Sequence, residues 1–214
     1  MSFLDHFQRS TRRLKSQATI LGTFVAAIWI LEIVDVILLG NALDAYGVWP
    51  RRPVGLLGIL FMPFLHGGYA HVAANTMPFV ILGWLVMLRR MSDFVVVTVV
   101  TSLVTGGGLW LFGSSRSVYI GASGLIFGYF GYLLLRGYFE RSPQALLLTV
   151  LVAFFYGGLV WGIVPRGNEL SWEAHLLGFT GGVLSARFLT RIDRPSASRG
   201  NIPNEQGEHY KQRS

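Results

Sequence analysis

Apolar stretches of about the length that crosses a bilayer dominate the chain, and short polar segments separate them. A spanning helix needs about 20 mainly apolar residues. Six stretches meet this need: 18–39, 69–88, 94–112, 120–138, 145–164 and 172–189. A shorter apolar run, 54–65, lies in a long loop, 40–68, where Pro63 and Gly67-Gly68 flank its end and predict an interfacial or re-entrant segment. The pattern predicts an all-α membrane protein, a bundle of six transmembrane helices with a long interfacial first loop.

Composition supports this prediction and excludes several classes of site. The chain is 52% hydrophobic and 14% charged, whereas soluble domains carry roughly 25% charged residues. It has no cysteine, which excludes disulfides, thiolate metal sites and thiol nucleophiles. The net charge of +7 does not indicate nucleic acid as a partner, because the basic residues are spread over tails and short loops.

The basic residues instead predict the orientation in the membrane. With the N-terminus inside, fourteen of the eighteen Lys and Arg residues face the inside, and four face the outside: Arg51, Arg52, Arg116 and Arg166. We therefore expect both termini to be cytoplasmic. Without a signal-peptide pattern, a clear presequence or an appended soluble domain, the sequence favours a bacterial plasma membrane.

The predicted organisation has three parts. Residues 1–17 form a cytoplasmic basic segment, which either lies on the lipid surface or is a solvated tail that fixes the topology. Residues 18–190 form the six-helix transmembrane domain. Residues 191–214 are rich in Ser, Asn, Gly and Pro and predict a disordered cytoplasmic tail.

Chemically capable side chains gather at one predicted depth. His66, His71 and Asn75 lie at the start of the second span, Ser123 at the start of the fourth and His175 at the start of the sixth, all on the outer side. A serine hydroxyl is a weak nucleophile until a base takes its proton. His71 and Asn75 are four residues apart on one helix face and suit an oxyanion hole. We therefore assign Ser123 as nucleophile and His175 as general base.

Glycines would allow the fourth and sixth spans to meet. Gly178 and Gly182 follow His175 and can approach Gly124 and Gly128 closely. Taken alone, the Gly-Ala-Ser-Gly stretch is compatible with simple helix packing, and each histidine with a hydrogen bond between helices. A zinc site is disfavoured because the chain has no His-Glu-x-x-His motif. We expect neither a metal nor another cofactor.

Three acidic residues near the same depth have alternative interpretations. Glu173 lies two residues before His175, so the two point to different sides of a helix, which favours an interfacial residue over a triad acid. Glu32 and Asp35 in the first span could mark an ion pathway, or they could be hydrogen-bonded to the long loop. We favour the second interpretation.

Three separated motifs resemble those of the rhomboid intramembrane serine proteases: His66-x4-His71-x3-Asn75, Gly121-Ala-Ser123-Gly124, and His175 followed by Gly178 and Gly182. The resemblance covers about residues 55–190. It implies a Ser123–His175 dyad without an acid, and an oxyanion site formed by His71, Asn75 and the Ser123 backbone N–H. It also implies that His66 orders the loop and that a substrate helix approaches between spans two and five.

Two positions depart from the family pattern. Phe127 stands where many members have a tyrosine that packs on the catalytic histidine, and phenylalanine can stack but has no hydroxyl. Leu57-Gly58 stand where many members carry Trp-Arg in the first loop.

The functional hypothesis is an intramembrane serine endopeptidase that cleaves single-span membrane proteins near the outer face. Its expected partners are transmembrane substrates and the lipid bilayer. The alternatives are a non-catalytic binder or chaperone of membrane helices and, less favoured, a small transporter that uses Glu32 and Asp35.

Overall fold

The computed structural model describes residues 3–165 and 172–193, and within them the chain is helical, with no β-sheet. Four helical stretches are long and apolar enough to cross a membrane, whereas the count of six spans stays a prediction. These four are Phe7–Leu39, Tyr69–Met87, Met91–Phe112 and Pro143–Gly162. The seven α-helices are α1 (Phe3–Val34), α2 (Gly55–Phe61), α3 (Tyr69–Met87), α4 (Met91–Phe112), α5 (Ser123–Glu140), α6 (Pro143–Tyr156) and α7 (Trp172–Asp193).

Helix α5 lies at the centre, and α3, α4, α6 and α7 pack around it. Two thirds of its residues are buried, including Tyr129, Phe130 and Tyr132. Because protein encloses α5, it does not need an apolar surface along its whole length. This explains how it accommodates the buried Arg136, which pairs with Asp93 of α4 at 3.1 Å.

The contact between α5 and α7 is backbone against backbone. A methyl group built at Gly178 would overlap the carbonyl oxygen of Gly124, and one at Gly182 would overlap that of Gly128. Small residues permit such an approach between membrane helices. The prediction that the fourth and sixth spans contact each other through these glycines is therefore confirmed.

The boundaries of the first and last predicted parts of the chain differ from those in the structure. Helix α1 is continuous from Phe3, so residues 3–17 belong to the same helix as the first apolar stretch, and a π-helical turn extends it to Leu39. The apolar run 54–65 forms α2 and a 3-10 turn, Met62–Phe64, which together are too short to span, as expected. Helix α7 continues to Asp193, inside the predicted tail, and the rest of that tail lies outside the described residues.

Helix α1 holds α3 at both ends. At the C-terminal end of α3, Arg13 Nη2 donates to the carbonyl oxygens of Met87 and Arg89, at 2.9 and 2.8 Å. These groups belong to the last turn of α3 and the residues after it, where helical carbonyls have no partner of their own. At the other end, the Gly68 N–H donates to Glu32 Oε1 at 2.6 Å.

Helix α6 is held more loosely. The Ser142 hydroxyl caps its N-terminus by accepting from the Ala145 N–H at 3.2 Å, and Thr149 donates to the Leu133 carbonyl oxygen at 2.9 Å. Val152 is its one buried residue. A 3-10 segment, Gly157–Gly162, continues directly from it towards α7.

Candidate active site

A turn at Gly121 places Ser123 at the first position of α5. The segment before it pairs with the first loop through a β-bridge between Val48 and Tyr119. Gly121 has φ +113°, a conformation that favours glycine, and its N–H donates to the Met62 carbonyl oxygen at 2.9 Å. Helix α5, which corresponds to the fourth predicted span, therefore begins three residues later than the predicted residue 120, and the half-buried Ser123 lies in its first turn.

His66 supports this turn. Its ring is 2% exposed, and Nε2 accepts a hydrogen bond from the Ala122 N–H at 3.3 Å. Burial, with the neighbouring His71 as a second cause, lowers the pKa of His66 to about 4, so the ring is neutral at physiological pH. The contact matches the expectation that His66 orders a loop, here the one that carries Ser123.

His71 and Asn75 of α3 lie against the same turn. Their nearest ring and amide nitrogens, Nε2 and Nδ2, lie 2.9 and 3.8 Å from the point where a side chain on Gly121 would begin. His71 Nδ1 accepts from the Gly67 N–H at 3.3 Å, which assigns the ring proton to Nε2. Asn75 Nδ2 is buried and has no hydrogen-bond partner among the described residues. Two side-chain donors thus point to the backbone just before Ser123.

The His175 ring packs on α5 one turn after Ser123. Phe127, one turn after Ser123, stacks on its ring with centroids 4.0 Å apart and planes 9° apart, so the stacking expected for phenylalanine is present. His175 Nδ1 lies 3.0 Å from the carbonyl oxygen of Gly162. A carbonyl can only accept, so Nδ1 carries a proton, and in the neutral ring Nε2 then carries the lone pair.

The rim of the site contains a pair that the sequence did not predict. The Tyr119 hydroxyl donates to Glu173 Oε2 and accepts from the Ser114 N–H at 2.9 Å. Burial, followed by the bond to Glu173, raises the pKa of Tyr119 to about 12. This contact agrees with Glu173 as an interfacial residue. The presence of Tyr119 four residues before Ser123 could have indicated a polar contact near the site. Nothing in the sequence indicated that the Gly162 carbonyl would contact His175.

The acidic residues of α1 and the turn after it bind the first loop, as favoured above. Glu32 and Asp35 are both buried. Glu32 accepts from Gly68, as described, and Asp35 Oδ1 accepts from the Leu43 N–H at 2.9 Å. Among the described residues, no group of three or more His, Asp or Glu side chains is placed to hold a metal ion.

The departure at Leu57-Gly58 has a structural counterpart. A side chain on Gly58 would overlap the backbone of Gly47, so α2 packs directly on the start of the first loop. Close backbone packing therefore holds the loop at the position where many rhomboid proteases carry Trp-Arg.

Comparison with known proteins agrees with this architecture. Residues 54–192 match the Rhomboid domain family. An uncharacterized protein of Mycobacterium tuberculosis is 38% identical over 184 residues, which cover 82% of this chain and 76% of the relative. An uncharacterized protein of Mycobacterium leprae is 36% identical over 194 residues, covering 87% of this chain and 76% of the relative. The family match and the four apolar helices together indicate an integral membrane protein, and the chain belongs to the rhomboid family.

Proposed function

We propose that the protein is an intramembrane serine endopeptidase with Ser123 as nucleophile and His175 as general base. The observation that carries the proposal is that candidate groups flank Ser123 along the chain: the donors of His71 and Asn75 lie beside Gly121, two residues before it, and the His175 ring stacks on Phe127, one turn after it. A family resemblance alone does not require an active enzyme, whereas this arrangement matches the needs of acyl transfer.

The ring tautomers support complementary roles for the two histidines. The proton on Nε2 makes His71 a donor towards the turn before Ser123, as an oxyanion hole requires. The lone pair on Nε2 makes His175 a base. The Ser123 N–H is among the first N–H groups of α5, which have no acceptor within the helix, and the helix dipole favours negative charge there.

The reaction would proceed in two steps. His175 Nε2 takes the proton of the Ser123 hydroxyl as Oγ attacks the scissile carbonyl carbon, and the oxyanion accepts hydrogen bonds from Asn75 Nδ2, His71 Nε2 and the Ser123 N–H. The tetrahedral intermediate collapses, the C–N bond breaks, and His175 gives its proton to the leaving amine. Water, deprotonated by His175, then hydrolyses the acyl-enzyme ester and releases the carboxylate product and Ser123.

The substrates would be single-span membrane proteins cleaved near the outer face, with both termini of the protease in the cytoplasm. A cleft of about 500 Å³ separates α3 from α6, and Ile81, Leu148 and Phe155 are among the apolar residues that line it. An apolar substrate helix could pack against these side chains. Because a helical carbonyl is hydrogen-bonded, segments weakened by Gly, Pro or polar residues would be preferred.

A fluorophosphonate probe and a single-span reporter substrate test the proposal on purified, folded protein. The wild type should bind the probe covalently and cleave the reporter, and Ser123→Ala and His175→Ala should do neither. Ser117→Ala, a serine in the loop before α5, is the matched control and should behave as the wild type. Normal turnover by Ser123→Ala, or a wild type that binds membrane helices without labelling or cleavage, would refute the proposal and favour a non-catalytic binder.

A further inference from the structure

The backbone carbonyl oxygen of Gly162 lies at the Nδ1 edge of the His175 ring, whereas the proposed function gives the role of base to Nε2. We propose that this carbonyl fixes the tautomer and orientation of His175, as a carboxylate does in a Ser-His-Asp triad. The inference rests on the proposed function, because it gives His175 the role of base. Gly162 would be a positioning residue that acts through its backbone.

Two contacts together determine the position of the ring. The stack on Phe127, with planes 9° apart, fixes the plane of the imidazole but allows it to turn within that plane. The Nδ1–H···O bond to Gly162, at 3.0 Å, removes this remaining rotation. The same bond holds the proton on Nδ1, so that Nε2 stays available to accept the serine proton.

Residue 162 has room for a carbonyl but none for a side chain. A Cβ on Gly162 would lie 2.7 Å from Phe127 Cζ and 3.2 Å from His175 Nδ1. Both atoms belong to the stacked pair, so even a methyl group would push on the two rings that the carbonyl aligns. The glycine is therefore a requirement of the site and not a feature of the loop alone.

The location of Gly162 links His175 to α6. Gly162 is the last residue of the 3-10 segment that continues from α6. Of the four apolar stretches, the one that includes α6 has the smallest buried share. A substrate segment that enters between α3 and α6 and displaces the outer end of α6 would move the acceptor of the His175 proton. Substrate entry and the readiness of the base would then be coupled through one peptide group.

Gly162→Ala tests the role of this position, and Gly158→Ala is the matched control. Both glycines lie in the same 3-10 segment, but a Cβ on Gly158 has nothing within 4 Å. We expect Gly162→Ala to lower kcat about 10-fold to 100-fold, as misplacement of a catalytic group does, with KM unchanged. Gly158→Ala should keep both constants. Equal kcat values for the two variants would overturn the proposal.

A spectroscopic measurement on the wild type does not depend on activity. Nitrogen-15 NMR of labelled histidines, with the His175 signal assigned by its loss in His175→Gln, should show the proton on Nδ1. In Gly162→Ala the signal should move towards a mixture of tautomers. A wild-type ring protonated on Nε2 would overturn the inference, even if Gly162→Ala did not fold. A wild type without probe labelling would instead overturn the proposed function.

Discussion

The contact of Gly182 with α5 offers a quantitative test of the packing that positions His175, because a side chain there would overlap a neighbouring atom more than at any other glycine of the described residues. In Gly182→Ala, the new methyl carbon would overlap the Gly128 carbonyl oxygen and come within 2.8 Å of the Tyr132 backbone nitrogen. Favourable contacts of carbon atoms are about 3.5–4.0 Å. Because both obstacles are backbone atoms of α5, no rotamer change relieves them, and α5 and α7 must separate by about 1 Å.

The expected cost follows from this separation. Overpacking of a tight core costs typically about 1–3 kcal/mol, and the better helix propensity of alanine returns about 1 kcal/mol. The net loss is about 0–2 kcal/mol, which lowers the melting temperature of a chain of this size by up to roughly 8 °C. His175 lies on the same helix as Gly182, two turns earlier, so α7 carries it away from α5. A shift of about 1 Å can reduce a rate about 100-fold.

The assay compares Gly182→Ala with Gly107→Ala in detergent. A Cβ on Gly107, in the interior of α4, has nothing within 4 Å, so the same substitution there should be neutral or stabilise by up to about 1 kcal/mol. Tryptophan fluorescence during heating measures stability, and the rate of fluorophosphonate labelling measures the site. If Gly182→Ala melts as high as Gly107→Ala and labels as fast as the wild type, the packing argument is wrong.

Two further changes test the support of the turn before Ser123. Glu32→Ala should leave the half-buried Gly68 N–H without its acceptor and cost up to about 1–3 kcal/mol. Glu32→Gln keeps an acceptor oxygen and should unfold close to the wild type in the same melting assay, so equal melting temperatures for the two variants would contradict this role. Protonation of His66 would turn Nε2 from an acceptor into a donor facing the Ala122 N–H. Because the pKa of His66 falls from 6.5 in the unfolded chain to about 4 in the fold, its contribution is complete above pH 6.5 and is lost as pH falls towards 4, by about 3 kcal/mol in total. Melting temperatures measured from pH 7.5 to 4 should therefore fall less steeply for His66→Gln than for the wild type, and parallel curves would refute the assignment.

The helical architecture could be predicted because apolar length and small-residue spacing are properties of local sequence. Gly178 and Gly182, one turn apart, predicted the contact with α5 without knowledge of the loops. The count of six spans stays a prediction, because α5 is enclosed by other helices and is not among the four stretches of the described residues that are long and apolar enough to cross a membrane.

The proximity of some candidate side chains was predictable, whereas the backbone around them was not. The spacing of His71 and Asn75 on one helix face indicated two donors at the same depth. The start of α5 was misplaced by three residues, because the positive φ of Gly121 depends on the surrounding packing. The Gly162 carbonyl could not be predicted, since every residue has one and only the fold determines what it contacts.

The two anchors of α1 restrain one side of the cleft between α3 and α6, and on the other side α6 has a single buried residue. Glu32 and Arg13 form hydrogen bonds at opposite ends of α3. This helix has 19 residues and is about 28 Å long. The two anchors fix the position of α3 along its own axis relative to α1. Helix α1 precedes residue 54, where the family match begins. A helix outside the matched domain therefore restrains α3, which forms one side of the cleft. An arriving helix would therefore be accommodated by displacement of α6, and the cleft would widen from that side alone.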